Sequence, residues 1–346
     1  METLTLRPTQ RILPPPEMPQ EDLPSVLLPV PVRQMLPATT NHGRLPFIEA
    51  NTREVDMQHL KEDCIIPVFS KDNEVTISHQ SFIASVYDAA EQVFGRGSVA
   101  DPSIRVSHVV KGRIPEAMHK PVKDLLDSDK TIYYERMMFA MEIPSIATDI
   151  AGNRLNLTVG GVRAYNHENL YSRKTAEKFK LFIGFKNLVC CNMCVSTDGY
   201  KACLKAMDTA MLSGSSEELF RSYSIERHID RMLALQDYSL NESQFAQFIG
   251  RCRLYQFLPA EEKKAIPALE LTDTQITAVA KSYYDDKNFR RGESEISMWK
   301  VFNLFTGANK SSYIDNFLDR SVNAGDLADG LCAALRGDSQ YAWFLS

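Results

Sequence analysis

Residues 178–196, KFKLFIGFKNLVCCNMCVS, decide how the chain folds. Successive side chains of a β-strand point to opposite faces of a sheet, so these residues fall into two alternating sets. One set is apolar and suits a face packed on helices: Phe179, Leu181, Ile183 and Phe185. The other set is cationic around an aromatic ring: Lys178, Lys180, Phe182, Gly184 and Lys186. The stretch therefore predicts one long strand with a buried face and a cationic face.

Other segments show the same alternation of a strand, and after them the spacing of the apolar residues becomes that of helices. Strands are predicted at 64–69, 74–79, 104–112, 131–143 and 154–166, and a helix is predicted from near Ser78 or Gln80 to Gly95. Short turns between successive strands favour an antiparallel sheet. The fold class predicted is α+β: an antiparallel sheet core, with strands at about 64–79 and 104–196, packed with helices and followed by a mostly helical C-terminal part. The later helices are expected at 217–237, 241–257, 274–285, 295–306 and 312–335.

Proline content and periodicity divide the chain into three parts. Ten of the 17 prolines lie in the first 46 residues. Proline removes a backbone donor and restricts its neighbour, so residues 1–45 are expected to be a disordered tail. We expect a β-rich α+β core over 46–215 and a helical region over 216–346, packed on that core.

Composition indicates a protein that stays in the cytoplasm. The chain has 346 residues, a hydrophobic share of 44% and a charged share of 24%. Prolines interrupt the one apolar run near residue 30, which argues against a signal peptide or membrane span. Without an export signal, the seven cysteines are expected to remain reduced thiols.

Charge is distributed unevenly along the chain. The net charge is −5, yet residues 105–186 hold 14 Lys and Arg against 9 Asp and Glu, which gives 14 − 9 = +5. A basic centre between acidic flanks favours a polyanionic partner, although a solvated outer sheet face would produce the same pattern.

The basic, aromatic-rich strands predict a surface for single-stranded nucleic acid. Such surfaces combine cations that follow the phosphates with aromatic rings that stack on bases. The residues predicted to contact phosphates are Arg136, Arg163, Lys178, Lys180 and Lys186, and those predicted to stack on bases are Tyr165 and Phe182. Strand order is not visible in the sequence, so whether these residues share one face is left open.

The cysteines Cys190, Cys191, Cys194 and Cys203 allow three interpretations. A structural zinc site normally has two close ligand pairs separated by a loop, which this spacing lacks. On a strand, Cys190 and Cys191 would point to opposite faces. Buried structural thiols are therefore favoured over a zinc site or a redox pair, and no cofactor or metal is expected.

No familiar catalytic motif occurs in the sequence. The P-loop, G-x-G-x-x-G, G-x-S-x-G and H-E-x-x-H patterns are all absent. His167 and Glu168 are the remaining candidates for acid–base chemistry, and they would need to converge in a pocket. The protein is expected not to be an enzyme.

Three segments carry a resemblance to a known family. Residues 104–146, 152–200 and 298–320 resemble a family of unknown function from Bacteroidetes-type conjugative and integrated elements. A more distant similarity to the phage/plasmid-like family of unknown function rests on VCCNMC at 189–194, where Cys194 replaces a leucine, and on Trp299, Asn303 and Thr306.

The resemblance implies a context rather than an activity: a cytoplasmic bacterial protein of mobile DNA. Such elements encode single-strand annealing proteins, replication accessories and counter-defence factors. By analogy with annealing proteins, which work as rings, we expect single-stranded DNA as a partner and a homo-oligomer. The alternative is a protein-interaction or counter-defence factor that binds a host or element-encoded protein through the helical half or the proline-rich tail.

Overall fold

The computed structural model describes residues 46–66, 74–117, 119–168, 173–290, 294–337 and 340–346. The tail predicted at 1–45 lies outside the described residues, as does the second half of the strand predicted at 64–69. None of the described helices is both long and apolar enough to cross a bilayer.

Within the described residues, six antiparallel strands form the main sheet, and they are ordered in space as they are in the sequence. They are β1 Arg53–Val55, β2 Ser103–Arg113, β3 Lys130–Ile150, β4 Asn153–Ala164, β5 Glu177–Asn187 and β6 Met193–Ala206. Two short strands, β7 Ser239–Asn241 and β8 Glu295–Ser297, pair separately. The predicted α+β class with an antiparallel sheet is confirmed.

Along the chain, helices occur before β2, and the part that follows β6 is mostly helical. Before β2 the chain forms α1 Met57–Glu62 and α2 His79–Phe94. After β6 come α3 Thr209–Ser222, α4 Ile225–Ala234, α5 Glu242–Phe257, α6 Ala260–Lys263, α7 Asp273–Asp285, α8 Lys287–Arg290, α9 Met298–Asn309 and α10 Ile314–Leu335. The helix predicted over 217–237 divides in two, because the side chain of Ser224 accepts from the backbone N–H of Arg227 and caps a new helix.

Residues 178–196 form two strands, so the prediction of one long strand is wrong. The chain turns between Asn187 and Met193. Asn187 Oδ1 accepts from the backbone N–H of Val189 at 2.8 Å, and Cys191 adopts a positive φ of 57°. An asparagine that bonds the backbone two residues onward starts a turn in place of a strand.

Two further strand boundaries differ from prediction. Residues 74–78 are not a strand, because Ser78 Oγ accepts from the backbone N–H of Ser81 at 3.0 Å and starts α2. Strand β3 does not end at Pro144, since a register shift between Ile143 and Ala147 accommodates the proline and pairing resumes.

Both faces of the sheet are covered. Helices α2 and α3 pack on one face, whose apolar residues are continuous with those of the C-terminal helices. Helix α10 lies against the other face, where Phe182 joins a second cluster with Phe317 and Leu318. The centre of the sheet is therefore closed to solvent on both sides.

Two adjacent glycines of β4 allow this close packing. A Cβ on Gly161 would stand 2.5 Å from Phe82 Cζ on α2, and a Cβ on Gly160 would stand 2.8 Å from Phe182 Cε1. Any side chain here would displace a ring. The pair of glycines thus lets aromatic side chains contact the sheet backbone.

Candidate nucleic-acid interface

The cationic set of β5 lies on the face that α10 covers. Phe182 is fully buried there among apolar residues that include Met138 and Val162. Its ring contributes to the core and is not exposed for stacking on a base in this structure.

Lys186, at the end of the same strand, is buried and neutralised. Its Nζ donates to Glu142 Oε1 at 2.8 Å, and its side chain is 9% exposed. The other oxygen of Glu142 accepts from Asn156 Nδ2 at 2.9 Å. Lys186 therefore closes a buried polar network between strands β3, β4 and β5.

Arg163 and Tyr165 lie on the opposite face, so the structure does not bring all seven predicted residues together. The Arg163 side chain is fully buried, with Nη2 2.5 Å from Glu177 Oε2 and 3.1 Å from Glu168 Oε1. Its guanidinium also lies over the ring of Phe179, with Cζ 4.1 Å from the ring centroid. The two carboxylates balance the positive charge of the buried Arg163 guanidinium within the protein.

Tyr165 belongs to the same buried group as Arg163. Its hydroxyl donates to the carbonyl of Ile77 at 3.1 Å, and its ring stacks on His79 at a centroid distance of 4.6 Å. Burial raises the pKa of Tyr165 and lowers the pKa of His79 to about 3. Both side chains are therefore neutral near pH 7, and neither is exposed to a ligand.

The remaining predicted residues, Arg136, Lys178 and Lys180, do converge. Lys178 and Lys180 line a cavity of about 100 Å³, together with His167, Ala202, Cys203 and Asp315. Arg136 Nε lies 3.0 Å from Asp315 Oδ2, which places its charge beside the same cavity. This end of the sheet face is the candidate site.

Lys178 faces a second lysine across the β5–β6 ladder. The two strands pair Lys178 directly with Lys205, and both side chains are exposed. Like charges in directly opposite positions of an antiparallel pair destabilise it. Among the described lysines nearby, ion pairs involve Lys174, Lys180, Lys186 and Lys201, whereas neither Lys178 nor Lys205 takes part in one. Among the described residues, no carboxylate forms an ion pair with either ammonium group, although Glu168 Oε1 accepts from the backbone N–H of Lys178 at 3.3 Å.

Helix α10 supplies the negative charge at this site. Lys180 Nζ lies 2.5 Å from Asp319 Oδ2 and donates to the carbonyl of Asp315 at 2.6 Å. Asp319 Oδ1 accepts from the hydroxyl of Tyr200 at 2.6 Å. Lys180 is therefore matched by a carboxylate, while the partner of Lys178 Nζ within the described residues is the carbonyl of His167, at 3.5 Å.

Lys205 was missed by the sequence interpretation, which ended the sheet at residue 196. Residues 193–206, MCVSTDGYKACLKA, form β6 and place Lys205 beside β5. Because residues 178–196 resemble one continuous strand, the sequence interpretation did not detect the turn after Asn187 that brings β6 back beside β5. The signal that could have revealed it is Asn187 followed by a stretch whose apolar pattern restarts at Met193.

The cysteines do not gather into a ligand set. Cys191 and Cys194 are buried and Cys190 is partly buried near the turn, whereas Cys203 is exposed on the cavity. Burial raises the pKa of the Cys194 thiol, which disfavours a thiolate. Within the described parts of the chain, no three histidine, cysteine or acidic side chains are placed to hold a metal ion together.

His167 and Glu168 do not converge on one pocket. His167 Nε2 lies 3.4 Å from Asp315 on the α10 side of the sheet, whereas Glu168 binds Arg163 in the buried group. Burial raises the pKa of Glu168, although Arg163 opposes the shift. The expectation that the protein is not an enzyme stays a prediction.

Comparisons with known proteins place the chain in a family without assigning it an activity. No curated protein and no solved structure matches the chain. One family model does match it, over residues 33–345, which is most of the sequence. The chain therefore belongs to the family described as a domain of unknown function, B. Theta Gene description (DUF3871).

Proposed function

We propose that this protein binds single-stranded nucleic acid at the open end of the α10-covered sheet face. Lys178 and Lys205, called the lysine cluster from here on, make the contact with phosphate, and Lys180 lies beside them in its ion pair with Asp319. The observation that carries the proposal is the direct pairing of Lys178 with Lys205 beside a cavity. Paired lysines cost stability on their own, and a bound anion offsets that cost.

The proposal differs from the sequence-based interpretation in the residues that act. Arg163 and Lys186 are held in buried ion pairs, and Tyr165 and Phe182 are core residues. Binding therefore depends on phosphate contacts more than on stacking by these rings. With Lys178 and Lys205 engaged, affinity for a single strand falls with salt at a log–log slope of about −1.4, from about −0.7 for each phosphate neutralised.

Fluorescence anisotropy with a labelled single-stranded oligonucleotide at several salt concentrations tests the proposal. The test variant is Lys178→Ala/Lys205→Ala. The matched control is Lys123→Ala/Lys281→Ala, which removes the same charge from two exposed lysines elsewhere. The test variant is expected to lose binding while the control retains it. Equal losses in both variants, or no binding by the wild type at low salt, would contradict the proposal.

A second candidate is a protein-binding function of the helical half. Leu254 and Phe257 on α5 are 58% and 79% exposed, an unusual arrangement for large apolar side chains so close together. A partner, including a second copy of the chain, could cover them. If copies of the chain associate there, Leu254→Ser/Phe257→Ser lowers the mass measured by light scattering, and an unchanged mass counts against that form of association.

The wider setting is also a proposal. The resemblance of residues 104–146, 152–200 and 298–320 to proteins of conjugative and integrated elements supports a role in mobile DNA, in the bacterial cytoplasm. A single-strand binding or annealing protein fits that setting.

A further inference from the structure

The outer edge of β2 is paired over only part of its length. Within the described residues, β1 pairs with β2 at Ile104, Arg105 and Val106, whereas β2 continues to Arg113. We infer that residues 109–113 of this edge bind an extended acidic segment of a partner protein, which adds a strand to the sheet. This inference goes beyond the proposed function, because the lysine cluster lies on β5 and β6 at a different site.

The register of β2 and β3 shows which backbone groups face outward. In an antiparallel ladder, pairs that bond to each other alternate with pairs whose N–H and C=O groups point away from each other. Val109 lies opposite Tyr134, and Lys111 lies opposite Ile132. The carbonyl of Tyr134 accepts from His79 Nε2 at 2.8 Å, and Ile132 forms a β-bridge to the segment that follows α1. Both residues thus turn their backbone groups away from β2, so Val109 and Lys111 turn theirs away from β3.

Arg113 continues the same pattern. The backbone N–H of Ile114 donates to the carbonyl of Asp129 at 3.0 Å, so this pair is bonded and the preceding pair, which contains Arg113, is not. The outward N–H and C=O groups of Val109, Lys111 and Arg113 have no hydrogen-bond partner among the described residues. Val109 is 46% exposed and Lys111 is exposed, so these groups lie at the surface.

This edge is regular enough to accept a strand. Val109 to Arg113 pair with β3 without a register shift, and a left-handed φ of 56° at His108 separates them from the part that β1 covers. Strand β6, at the other side of the sheet, has two register shifts against β5. Such shifts bend a strand and interrupt its edge, whereas an unshifted edge is a template for another chain. The free edge of β2 is therefore the better candidate of the two.

The side chains on this edge carry positive charge. Lys111 and Arg113 are two residues apart and therefore lie on one face of β2. Among the described residues, ion pairs on the β2–β3 connection use Asp127 and Asp129, and neither pair includes Lys111 or Arg113. Carboxylates on an added strand would lie directly opposite these two cations and stabilise the pairing. The edge therefore selects acidic residues at alternate positions.

A second copy of the chain is a poorer occupant than an acidic strand. Lysine on an exposed edge is one of the devices by which natural sheets avoid pairing with identical edges. In the antiparallel arrangement of the rest of the sheet, an acidic strand places its carboxylates opposite Arg113 and Lys111 and an apolar residue opposite Val109. The preferred segment therefore reads acidic-x-acidic-x-apolar.

Fluorescence anisotropy with a labelled TETETVT peptide tests the inference. We expect the wild type to bind this peptide roughly fivefold more tightly than TKTKTVT, in which two opposite-charge pairs become like-charge pairs. A third peptide is TETETVT with N-methyl groups on both glutamates and the valine. It keeps the charges but cannot donate to β2, and it is expected not to bind. Equal binding of the three peptides overturns the inference.

Lys111→Pro tests the backbone contact in the protein. The N–H of Lys111 faces outward, so proline removes no bond to β3, yet it removes a donor to the added strand. The matched control is Lys111→Gln, which removes the same charge and keeps the N–H. We expect Lys111→Pro to abolish binding of TETETVT and Lys111→Gln to weaken it by less than about fivefold. Equal affinities of the two variants overturn strand addition.

A second measurement needs no substitution. Hydrogen exchange read by mass spectrometry follows the backbone of residues 107–113 in the wild type. TETETVT is expected to slow exchange there, because the outward N–H groups become hydrogen-bonded, and the N-methylated peptide is expected to leave exchange unchanged. Unchanged exchange with TETETVT bound overturns the inference even if Lys111→Pro fails to fold.

The lysine cluster supplies the last control, since it could also attract an acidic peptide. Lys178→Ala/Lys205→Ala is expected to bind TETETVT as the wild type does. Loss of peptide binding in this variant would place the peptide at the lysine cluster and overturn the inference. Lys111→Pro is expected to keep its affinity for a single-stranded oligonucleotide, so each proposal is judged at its own site.

Discussion

Lys178 and Lys186 lie on one strand and one face, yet they have opposite environments. Lys186 is buried against Glu142, whereas Lys178 is exposed and faces Lys205. Only eight positions separate them. Alternation along a strand determines the face of the sheet on which a side chain lies. Whether that face is exposed to solvent depends on what packs on it from distant parts of the chain.

Helix α10 covers the middle of this face, and its first turns reach Lys180. Its Phe317 and Leu318 cover Phe182, and its Asp319 meets Lys180. Beyond Lys180 the face opens at the cavity. The comparison between a closed end with matched charges and an open end with unmatched charges leads to four predictions.

The largest effect is expected in the buried group on the opposite face. Arg163→Met leaves buried Glu168 without its ion-pair partner and leaves Glu177 with Lys174 alone, whose Nζ lies 3.6 Å from Glu177 Oε1. Removing one partner of a buried ion pair costs roughly 3–5 kcal/mol. Urea unfolding measures this loss. A loss below about 1 kcal/mol would show that the group is hydrated and open rather than closed to solvent.

The direct comparison uses the same substitution at both ends of β5. Lys186→Met removes a charge-assisted hydrogen bond to Glu142 and is expected to lower the free energy of unfolding by about 2 kcal/mol. Lys178→Met is expected to change it by less than about 0.5 kcal/mol. Equal effects in urea unfolding would erase the distinction between closed and open ends.

Acid is expected to destabilise the folded protein through the buried side chain of His228. Its Nδ1 accepts from the hydroxyl of Tyr223, Ser196 Oγ lies 3.4 Å away, and burial, followed by Arg231, lowers its pKa to about 4. The unfolded chain binds a proton near pH 6.5, whereas the folded chain does so only near pH 4. Stability therefore falls as pH drops from about 6.5 to 4.

The slope due to this histidine is roughly 1.4 kcal/mol per pH unit. His228→Asn keeps an acceptor for Tyr223 but does not titrate. It is expected to lower the slope of unfolding free energy against pH by that amount. His79, whose pKa is lowered to about 3, continues to contribute in both proteins. If the slope is unchanged in His228→Asn, His228 is exposed to solvent in the folded protein and the prediction is wrong.

The smallest effect has the opposite sign. Lys205→Glu replaces a like-charge pair with Lys178 by an opposite-charge pair, and such cross-strand changes are worth roughly 0.2–1 kcal/mol. The variant is expected to be more stable and to bind nucleic acid less tightly. This trade-off is typical of residues kept for function. Lower stability in Lys205→Glu would count against repulsion between the two lysines.

The fold class was predictable because it depends on periodicity, which is local. Strand alternation and helical spacing identified most elements, and the cap at Ser78 fixed the start of α2. The turn at Asn187 was missed because its apolar neighbours continue the strand pattern on both sides.

The candidate site was only partly predictable. Alternation placed Lys178 and Lys180 on one face and grouped Phe182 and Lys186 with them. It did not reveal α10, far along the chain, which covers Phe182 and supplies Asp315 and Asp319. Long-range contacts of this kind require the tertiary structure. Lys205 could not be assigned to the site from the sequence, because its position depends on the turn between Asn187 and Met193 that was not predicted.

Lysine acetylation by an amine-reactive ester, read by mass spectrometry with and without single-stranded DNA, tests the central claim most directly. In the free protein, Lys178 and Lys205 are expected to react and Lys186 to stay unmodified. With DNA bound, Lys178 and Lys205 become protected while Lys123 and Lys281 react as before. Rapid modification of Lys186 in the free protein, or protection that spares Lys178 and Lys205, would contradict the claim that DNA binds the open end of this sheet face.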